Sequence, residues 1–276
     1  MSHSIMRHLI QFIAFIMTNA QILNLGTGKI YKGPWKQFCS PGLNCYSCPA
    51  ALTACPIGAM QAVAGSSGFG LSYYVVGSLM LIGVILGRAV CGFLCPFGLF
   101  QELLHKIPSP KRALLWKKLI YVKYVILLLF VILLPVVSMN YAGIGEPAFC
   151  EYICPAGTLE GGIPLLLARP ELRAAAGGLF LWKMGILLAV VGGCILTERF
   201  FCKVLCPLGA IYGLMNRFSV YHLSVDRNKC TSCGTCMRTC PMEINPAVHP
   251  DSAECIRCGK CTGKCPEKAI GMILGK

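Results

Sequence analysis

The C-terminal end of this chain carries one cysteine spacing twice: Cys230-x2-Cys233-x2-Cys236-x3-Cys240-Pro241, then Cys255-x2-Cys258-x2-Cys261-x3-Cys265-Pro266. Three thiolates on one tight loop can face three corners of an iron–sulfur cubane, and the fourth corner is then reached from the opposite run. The spacing predicts one [4Fe–4S] cluster on Cys230, Cys233, Cys236 and Cys265, and a second on Cys255, Cys258, Cys261 and Cys240. A zinc ribbon uses pairs of C-x2-C and has no reason to show the doubled run. Residues 220–276 are expected to form an α+β domain around the two clusters.

The rest of the chain is of another kind. Of 276 residues, 55% are hydrophobic and only 13% charged. An ordinary soluble domain is about one quarter charged, so this surface cannot be covered with ions and a membrane location follows. Four apolar segments run from Ile5 to Leu25, Leu71 to Leu86, Leu119 to Val137 and Leu179 to Thr197. Each approaches the ~20 residues that cross a ~30 Å hydrocarbon core. The first carries Gln11, Thr18, Asn19, Gln21 and Asn24. It reads as a retained helix with its polar side chains turned into the bundle, rather than as a signal peptide.

Lysine and arginine mark the cytoplasmic side of a membrane protein. Arg88, Lys106, Lys111, Arg112, Lys117 and Lys118 put the segment from Arg88 to Lys118 inside. In the loop assigned outside, Arg169 and Arg173 are outnumbered by Glu146, Glu151, Glu160 and Glu171. The first outer loop, with Lys29, Lys32 and Lys36, fits less well. Both termini are then cytoplasmic. The same sidedness accounts for the formal net charge of +14, since no long basic run or basic–aromatic stripe points to nucleic acid.

The membrane part, residues 1–219, repeats itself. Cys55-Pro-Ile-Gly-Ala-Met-Gln61 matches Cys154-Pro-Ala-Gly-Thr-Leu-Glu160. Further on, Cys91-Gly-Phe-Leu-Cys95-Pro-Phe-Gly98 matches Cys202-Lys-Val-Leu-Cys206-Pro-Leu-Gly209. Two halves, about 1–112 and 113–219, each read as outward span, outer Cys-Pro turn, inward span and inner C-x3-C-P turn. Their common orientation makes a parallel repeat about an axis along the membrane normal. Proline in a first turn predicts a helix starting at each Cys-Pro.

C-x3-C places two thiols about one helical turn apart on one side of the chain. Cys91, Cys95, Cys202 and Cys206 therefore offer four soft ligands at the inner face, enough for one cluster. Near the outer ends, Cys55 and Cys154 are equivalent by the repeat and Cys150 pairs with Cys154. The expected outer cluster is Cys48, Cys55, Cys150 and Cys154, with Cys45 as the alternative to Cys48. Other readings compete. Disulfides in an oxidising compartment would first join Cys39 to Cys45, and the C-x3-C-P pairs could hold a metal only transiently. Cys194, alone within a span, reads as a packed thiol. His3, His8, His105, His222 and His249 all avoid the span centres, which argues against a bis-histidine haem. No nucleotide fingerprint, P-loop or nucleophile–base set is present. Glu102 and Glu198, near the inner cysteines, read as solvated interfacial carboxylates.

The turns at Cys91/Cys95 and Cys202/Cys206, with the eight C-terminal cysteines, resemble the NapH-like membrane-bound 4Fe-4S ferredoxins. Related arrangements look similar in the membrane modules of NosR and of cytochrome-oxidase-assembly ferredoxins. The resemblance covers most of the chain. Together these readings give a mainly α membrane protein, with four transmembrane helices as a parallel internal repeat and a C-terminal two-cluster bacterial-type ferredoxin domain. The resemblance implies the cytoplasmic membrane of a bacterium or archaeon. It also implies an electron carrier or redox-complex subunit rather than a stand-alone catalyst. Expected partners are a soluble ferredoxin or flavodoxin and a membrane or extracytoplasmic redox enzyme. The chain departs from the family pattern at the Cys39–Cys55 cluster and the Cys150/Cys154 pair, and it lacks a flavin-binding domain. With two [4Fe–4S] clusters in the tail and two in the membrane, it would be a transmembrane electron conduit. The alternative is a maturation factor that binds or reduces a metal at the membrane cysteines.

Overall fold

A computed structural model describes residues 3–66, 73–113, 117–140, 145–174 and 176–275. The predicted start of the second span at Leu71, the side chains of His3 and Lys117, and Lys276 lie outside the described residues.

Helix α1 (His3–Thr18) is amphipathic in the inverted sense. Ile5, Leu9, Phe12, Ile13 and Ile16 are exposed, while Arg7 and Gln11, one turn apart on a single face, are buried. An apolar outer face over a polar inner one suits lipid. The helix stops short of the predicted Leu25. Thr18 Oγ1 donates to the Ala14 carbonyl at 2.8 Å and Asn19 Nδ2 to the Phe15 carbonyl at 3.2 Å. Such local side-chain bonds compete with helix continuation. The Leu52 amide then takes the Thr18 carbonyl, and the chain folds back on itself.

The first half continues with α2 (Pro56–Ala64), α3 (Tyr73–Leu86), α4 (Ala89–Phe93) and α5 (Pro96–His105). The second contains α6 (Lys118–Val137), α7 (Gly157–Ala168), α8 (Gly178–Leu196), α9 (Phe200–Val204) and α10 (Pro207–Met215). Among the described residues, α6 and α8 are the helices long and apolar enough to cross a membrane; α1 and α3 are shorter. Only 28% and 17% of the apolar stretches of α6 and α8 are buried. Leu128, Leu181 and Leu188 stand exposed on them, forming an apolar surface too large for water. This is a membrane protein. Helix α3 ends at a turn through Gly87, whose φ of +56° favours glycine.

After α10 come β1 (Tyr221–Val225), α11 (Thr235–Arg238), α12 (Lys260–Lys264) and β2 (Ile270–Leu274). The strands pair antiparallel, Tyr221 opposite Leu274 through Val225 opposite Ile270. The two cysteine runs between them repeat in backbone as well as in sequence. Ser232 and Arg257, Gly234 and Gly259, and Glu243 and Lys268 are left-handed in equivalent pairs, with φ from 49° to 72°. Left-handed side-chain-bearing residues persist only where their surroundings require them. Here the alternation curls each loop so that its amides and thiols face inward.

This C-terminal part is docked against the membrane helices. Met242, Ile256 and Cys258 share one buried core with Cys91, Cys95 and Cys206. The Glu254 carboxylate meets Arg88 at 2.7 Å and Lys123 at 2.5 Å, and Glu243 meets Lys203 at 2.5 Å. Asn216 Nδ2 donates to the carbonyls of Ser252 and Cys255, both at 2.8 Å. Backbone approaches backbone at Gly92, where a Cβ would lie 2.6 Å from the Ile256 carbonyl oxygen.

Candidate metal centres

The tail cysteines fall into two groups of four. Cys230, Cys233, Cys236 and Cys265 line a cavity of about 140 Å³, and Cys240, Cys255, Cys258 and Cys261 line a second one. The first lies at the surface, with Cys233 exposed; in the second, Cys255, Cys258 and Cys261 are buried. Among the described residues, no three His, Cys, Asp or Glu side chains converge to hold one metal ion. A single zinc would draw its thiolates to about 2.3 Å from a shared centre. Around the first cavity the cysteines enclose a space wider than one ion fills. Burial pushes the Cys255 thiol up to about 11 and Cys261 up to about 12, so bonds to iron there would replace bound protons.

The inner membrane site is equally well assembled. Cys91 from α4, Cys202 from α9 and the N-caps Cys95 and Cys206 are all buried, with Cys206 beside the other three. Each N-cap sulfur accepts an amide from the glycine three residues on: Gly209 N–H to Cys206 Sγ at 3.3 Å, and Gly98 N–H to Cys95. A helix N-terminus and such N–H···S bonds favour negative charge on sulfur. Proline occupies the first helical position, where no amide partner is lost. The half-to-half symmetry extends to arginines three residues before each first cysteine. Arg88 donates to the Cys202 carbonyl at 3.2 Å and Arg199 to the Cys91 carbonyl at 2.6 Å, each crossing to the other half.

The second membrane site departs from expectation in its membership. Cys45, Cys55, Cys150 and Cys154 line one cleft together. Cys48 is off that lining, packed with Ala50 and Ala51. The cleft therefore brings together the alternative set, with Cys45 in the place of Cys48. The reason is the path of the loop. Ser40 and Ala54 pair across its neck, with the Ser40 amide bonded to the Ala54 carbonyl at 2.9 Å. The Glu160 carboxylate accepts the Cys45 amide at 2.7 Å, turning that residue inward. Cys39 and Cys45 are not joined, and none of the nineteen cysteines stands in a disulfide.

The Cys39–Cys55 loop does not stay at one end of the molecule: Leu43 and Asn44 are fully buried, and Tyr212 Oη donates to the Pro41 carbonyl at 2.9 Å. The Leu43 amide donates to Cys95 Sγ, and Leu43 also lines the cleft of the second site. The two membrane sites thus share Leu43 between them. Cys55 and Cys154 again stand directly before helices, with amides of Gly58 and Gly157 on their sulfurs.

Several side chains gained meaning only from the fold. Glu102, expected to be solvated, is 5% exposed and binds Arg7 and Arg199, at 2.8 and 2.7 Å. Glu198 is partly exposed and pairs with Lys260. Gln61 and Gln101, each six residues after a Cys-Pro cysteine, are fully buried and donate to Cys150 Sγ and Cys202 Sγ, both at 3.1 Å. Their common offset was the signal in the sequence; what they touch was not. Cys194 is a buried thiol within α8, outside all four cysteine groups.

A family model described as a 4Fe-4S binding domain matches residues 68–114, 125–169 and 179–225, together half of the chain. A second 4Fe-4S binding domain matches residues 222–245. The chain belongs to the NapH/NosR-like ferredoxin family. It is a [4Fe–4S] protein. The three matches of one family model each contain a C-x3-C-P turn, at Cys91, Cys150 and Cys202. Relatives include the methylamine utilization ferredoxin-type protein MauN of Paracoccus denitrificans, 28% identical over 70% of this chain and 58% of its own length. The regulatory protein NosR of Pseudomonas aeruginosa is 27% identical over 60% of this chain and 21% of its own length. The protein MJ0749 of Methanocaldococcus jannaschii is 32% identical over 60% of this chain and 56% of its own length. The chain thus spans little more than half the length of the first relatives it matches. No solved structure matches.

Proposed function

We propose that this membrane ferredoxin is an electron conduit whose four cysteine groups act in a fixed order. Electrons enter or leave at Cys230, Cys233, Cys236 and Cys265, pass by way of Cys240, Cys255, Cys258 and Cys261, then Cys91, Cys95, Cys202 and Cys206, and end at Cys45, Cys55, Cys150 and Cys154. [4Fe–4S] clusters bound at these groups supply one-electron carriage. The observation that supports the order is contact at each step: Cys236 and Cys261 share one buried cluster between the first two groups, Ile256 against Gly92 joins the second to the third, and Leu43 joins the third to the fourth. The protein's part is to hold the groups close, keep water from the inner ones and set their potentials through burial and bonds to sulfur.

In this reading residues 1–219 form the membrane domain, as two parallel repeats of about 1–112 and 113–219, and residues 220–276 the ferredoxin domain. Both termini face the cytoplasm of a bacterium or archaeon. Arg227, Lys229, Arg238, Lys264 and Lys268 are exposed on the domain that carries the accessible Cys233. That charge suits an acidic soluble ferredoxin or flavodoxin and acts mainly on the association rate. The far group delivers to, or draws from, a membrane or extracytoplasmic redox enzyme.

Iron and acid-labile sulfide, measured per chain after anaerobic purification in detergent, test the reading. Four clusters require roughly 16 irons and the ferredoxin domain alone roughly 8. A value near 16 supports the conduit. A value near 8 in undamaged protein sinks it and moves the maturation-factor reading to the front.

A further inference from the structure

We propose that Gln61 and Gln101 set the reduction potentials of the two membrane sites, each by donating one N–H···S hydrogen bond to a cluster-ligating cysteine. The inference rests on the ligation proposed above. It goes beyond that reading by assigning two residues that bind no iron.

The two glutamines occupy equivalent places. Each lies six residues after the cysteine of a Cys-Pro-x-Gly motif, Gln61 on α2 and Gln101 on α5, and each is fully buried. A buried primary amide destabilises the fold unless its polar atoms are paired, and here they are. One donor bond returns to the helix, from Gln61 to the Ile57 carbonyl at 3.2 Å and from Gln101 to the Phe97 carbonyl at 3.3 Å. The amide oxygens accept backbone N–H groups across the domain, Phe149 at 2.8 Å for Gln61 and Cys202 at 3.4 Å for Gln101. A backbone amide only donates, so it fixes which end of each side chain carries oxygen. The nitrogen must therefore face sulfur: Cys150 Sγ for Gln61 and Cys202 Sγ for Gln101, at 3.1 Å in both.

The recurrence argues against a packing accident. In both sites a glutamine from the first half crosses to the second, and in both the receiving cysteine follows a buried phenylalanine, Phe149-Cys150 and Phe201-Cys202. The corresponding places in the second half hold Glu160 and Tyr212, which bond the Cys45 amide and the Pro41 carbonyl instead of a sulfur. Each membrane site thus receives one side-chain amide on one sulfur. Reduction adds negative charge that spreads onto the ligand sulfurs, and a donor bond strengthens as its acceptor gains charge. The amide therefore favours the reduced state and raises the potential.

The test uses the full chain, purified anaerobically in detergent, with iron counted and potentials taken by EPR-monitored titration. Gln101→Met keeps the length and volume of the side chain but removes the donor. It is expected to retain roughly 16 irons and to lower one membrane potential by about 59 mV, a tenfold shift in a one-electron equilibrium. Gln61→Met should lower the other membrane potential similarly. The two signals of the ferredoxin domain should stay fixed in both variants. Gln101→Glu, nearly isosteric, should lower the same potential as Gln101→Met, which secures the result if methionine disturbs packing. Full iron with all four potentials unchanged would make the amides structural ties and overturn the proposal. So would loss of roughly four irons from both the methionine and the glutamate variant, which would assign the amide to cluster assembly. About 8 irons in the parent protein would instead overturn the ligation reading on which the proposal stands.

Discussion

Glu254 is the perturbation that tests the docking of the ferredoxin domain most sharply. Its carboxylate is 12% exposed and neutralises both Arg88 and Lys123, whose side chains are fully buried. Although burial opposes its charge, those two cations hold the carboxyl below its ordinary range. Glu254→Gln keeps the shape and removes the charge, leaving two cations without a counter-ion. Arg88 retains the carbonyls of Ala253 and Cys202 and the Cys91 sulfur beside it. Breaking a buried pair on one side costs about 3–5 kcal/mol. At about 1.4 kcal/mol per tenfold, that shifts the docked–undocked balance by roughly two to three and a half orders of magnitude. The contact between Ile256 and Gly92 should loosen, and with it electron passage from tail to membrane. The assay is freeze-quench EPR of the membrane signals after a soluble donor is mixed with protein of full iron content. The variant should reduce its ferredoxin signals at the parental rate and its membrane signals far more slowly. Adding Lys123→Met should restore part of the rate, because it removes one of the stranded charges. As a control, Asp226→Asn breaks an ion pair at 3.3 Å between exposed partners; exposed pairs are worth about 0–1 kcal/mol, so no change is expected. Parental transfer into the membrane sites of an iron-replete Glu254→Gln protein would refute the reasoning.

Three further outcomes are expected. Cys45→Ser should cost roughly four irons per chain while Cys48→Ser costs none, by iron assay; the reverse would restore the loop register first read from the sequence. Gly92→Ala places a methyl group 2.6 Å from the Ile256 oxygen, an overpacking worth about 1–3 kcal/mol. Slower tail-to-membrane transfer with iron intact is expected, and an unchanged rate would show that the backbones need not touch. Reduction by an acidic carrier should slow as salt rises from 50 to 500 mM, since the Debye length shrinks toward a few ångströms; salt-independent kinetics would remove the basic surface from the account.

What the sequence determined by itself was chemistry and local geometry. The two C-x2-C-x2-C-x3-C-P runs, which named the cysteines lining each tail cavity, carry their spacing on one continuous loop, so few foldings are open to them. The Cys-Pro turns likewise announced their helices, because proline and a capping sulfur act within one turn of chain. Apolar length marked α6 and α8 as candidate spans for the same reason, whereas within the described residues α1 and α3 are shorter than the ~20 residues of a crossing helix.

What only the tertiary structure decided involves residues far apart in the chain. Cys45 and Cys48 differ by three positions, and the choice between them is made by Glu160, which holds the Cys45 amide from the other half. Glu102 looks solvated until Arg7 closes on it from α1 and Arg199 from the turn before α9. The closeness of the two membrane sites follows from a loop that dives to Cys95, and nothing in its composition sets that depth. Spacing fixes which thiols can share a loop. Packing of distant segments, each buried polar group seeking a partner, fixes which thiols meet across it.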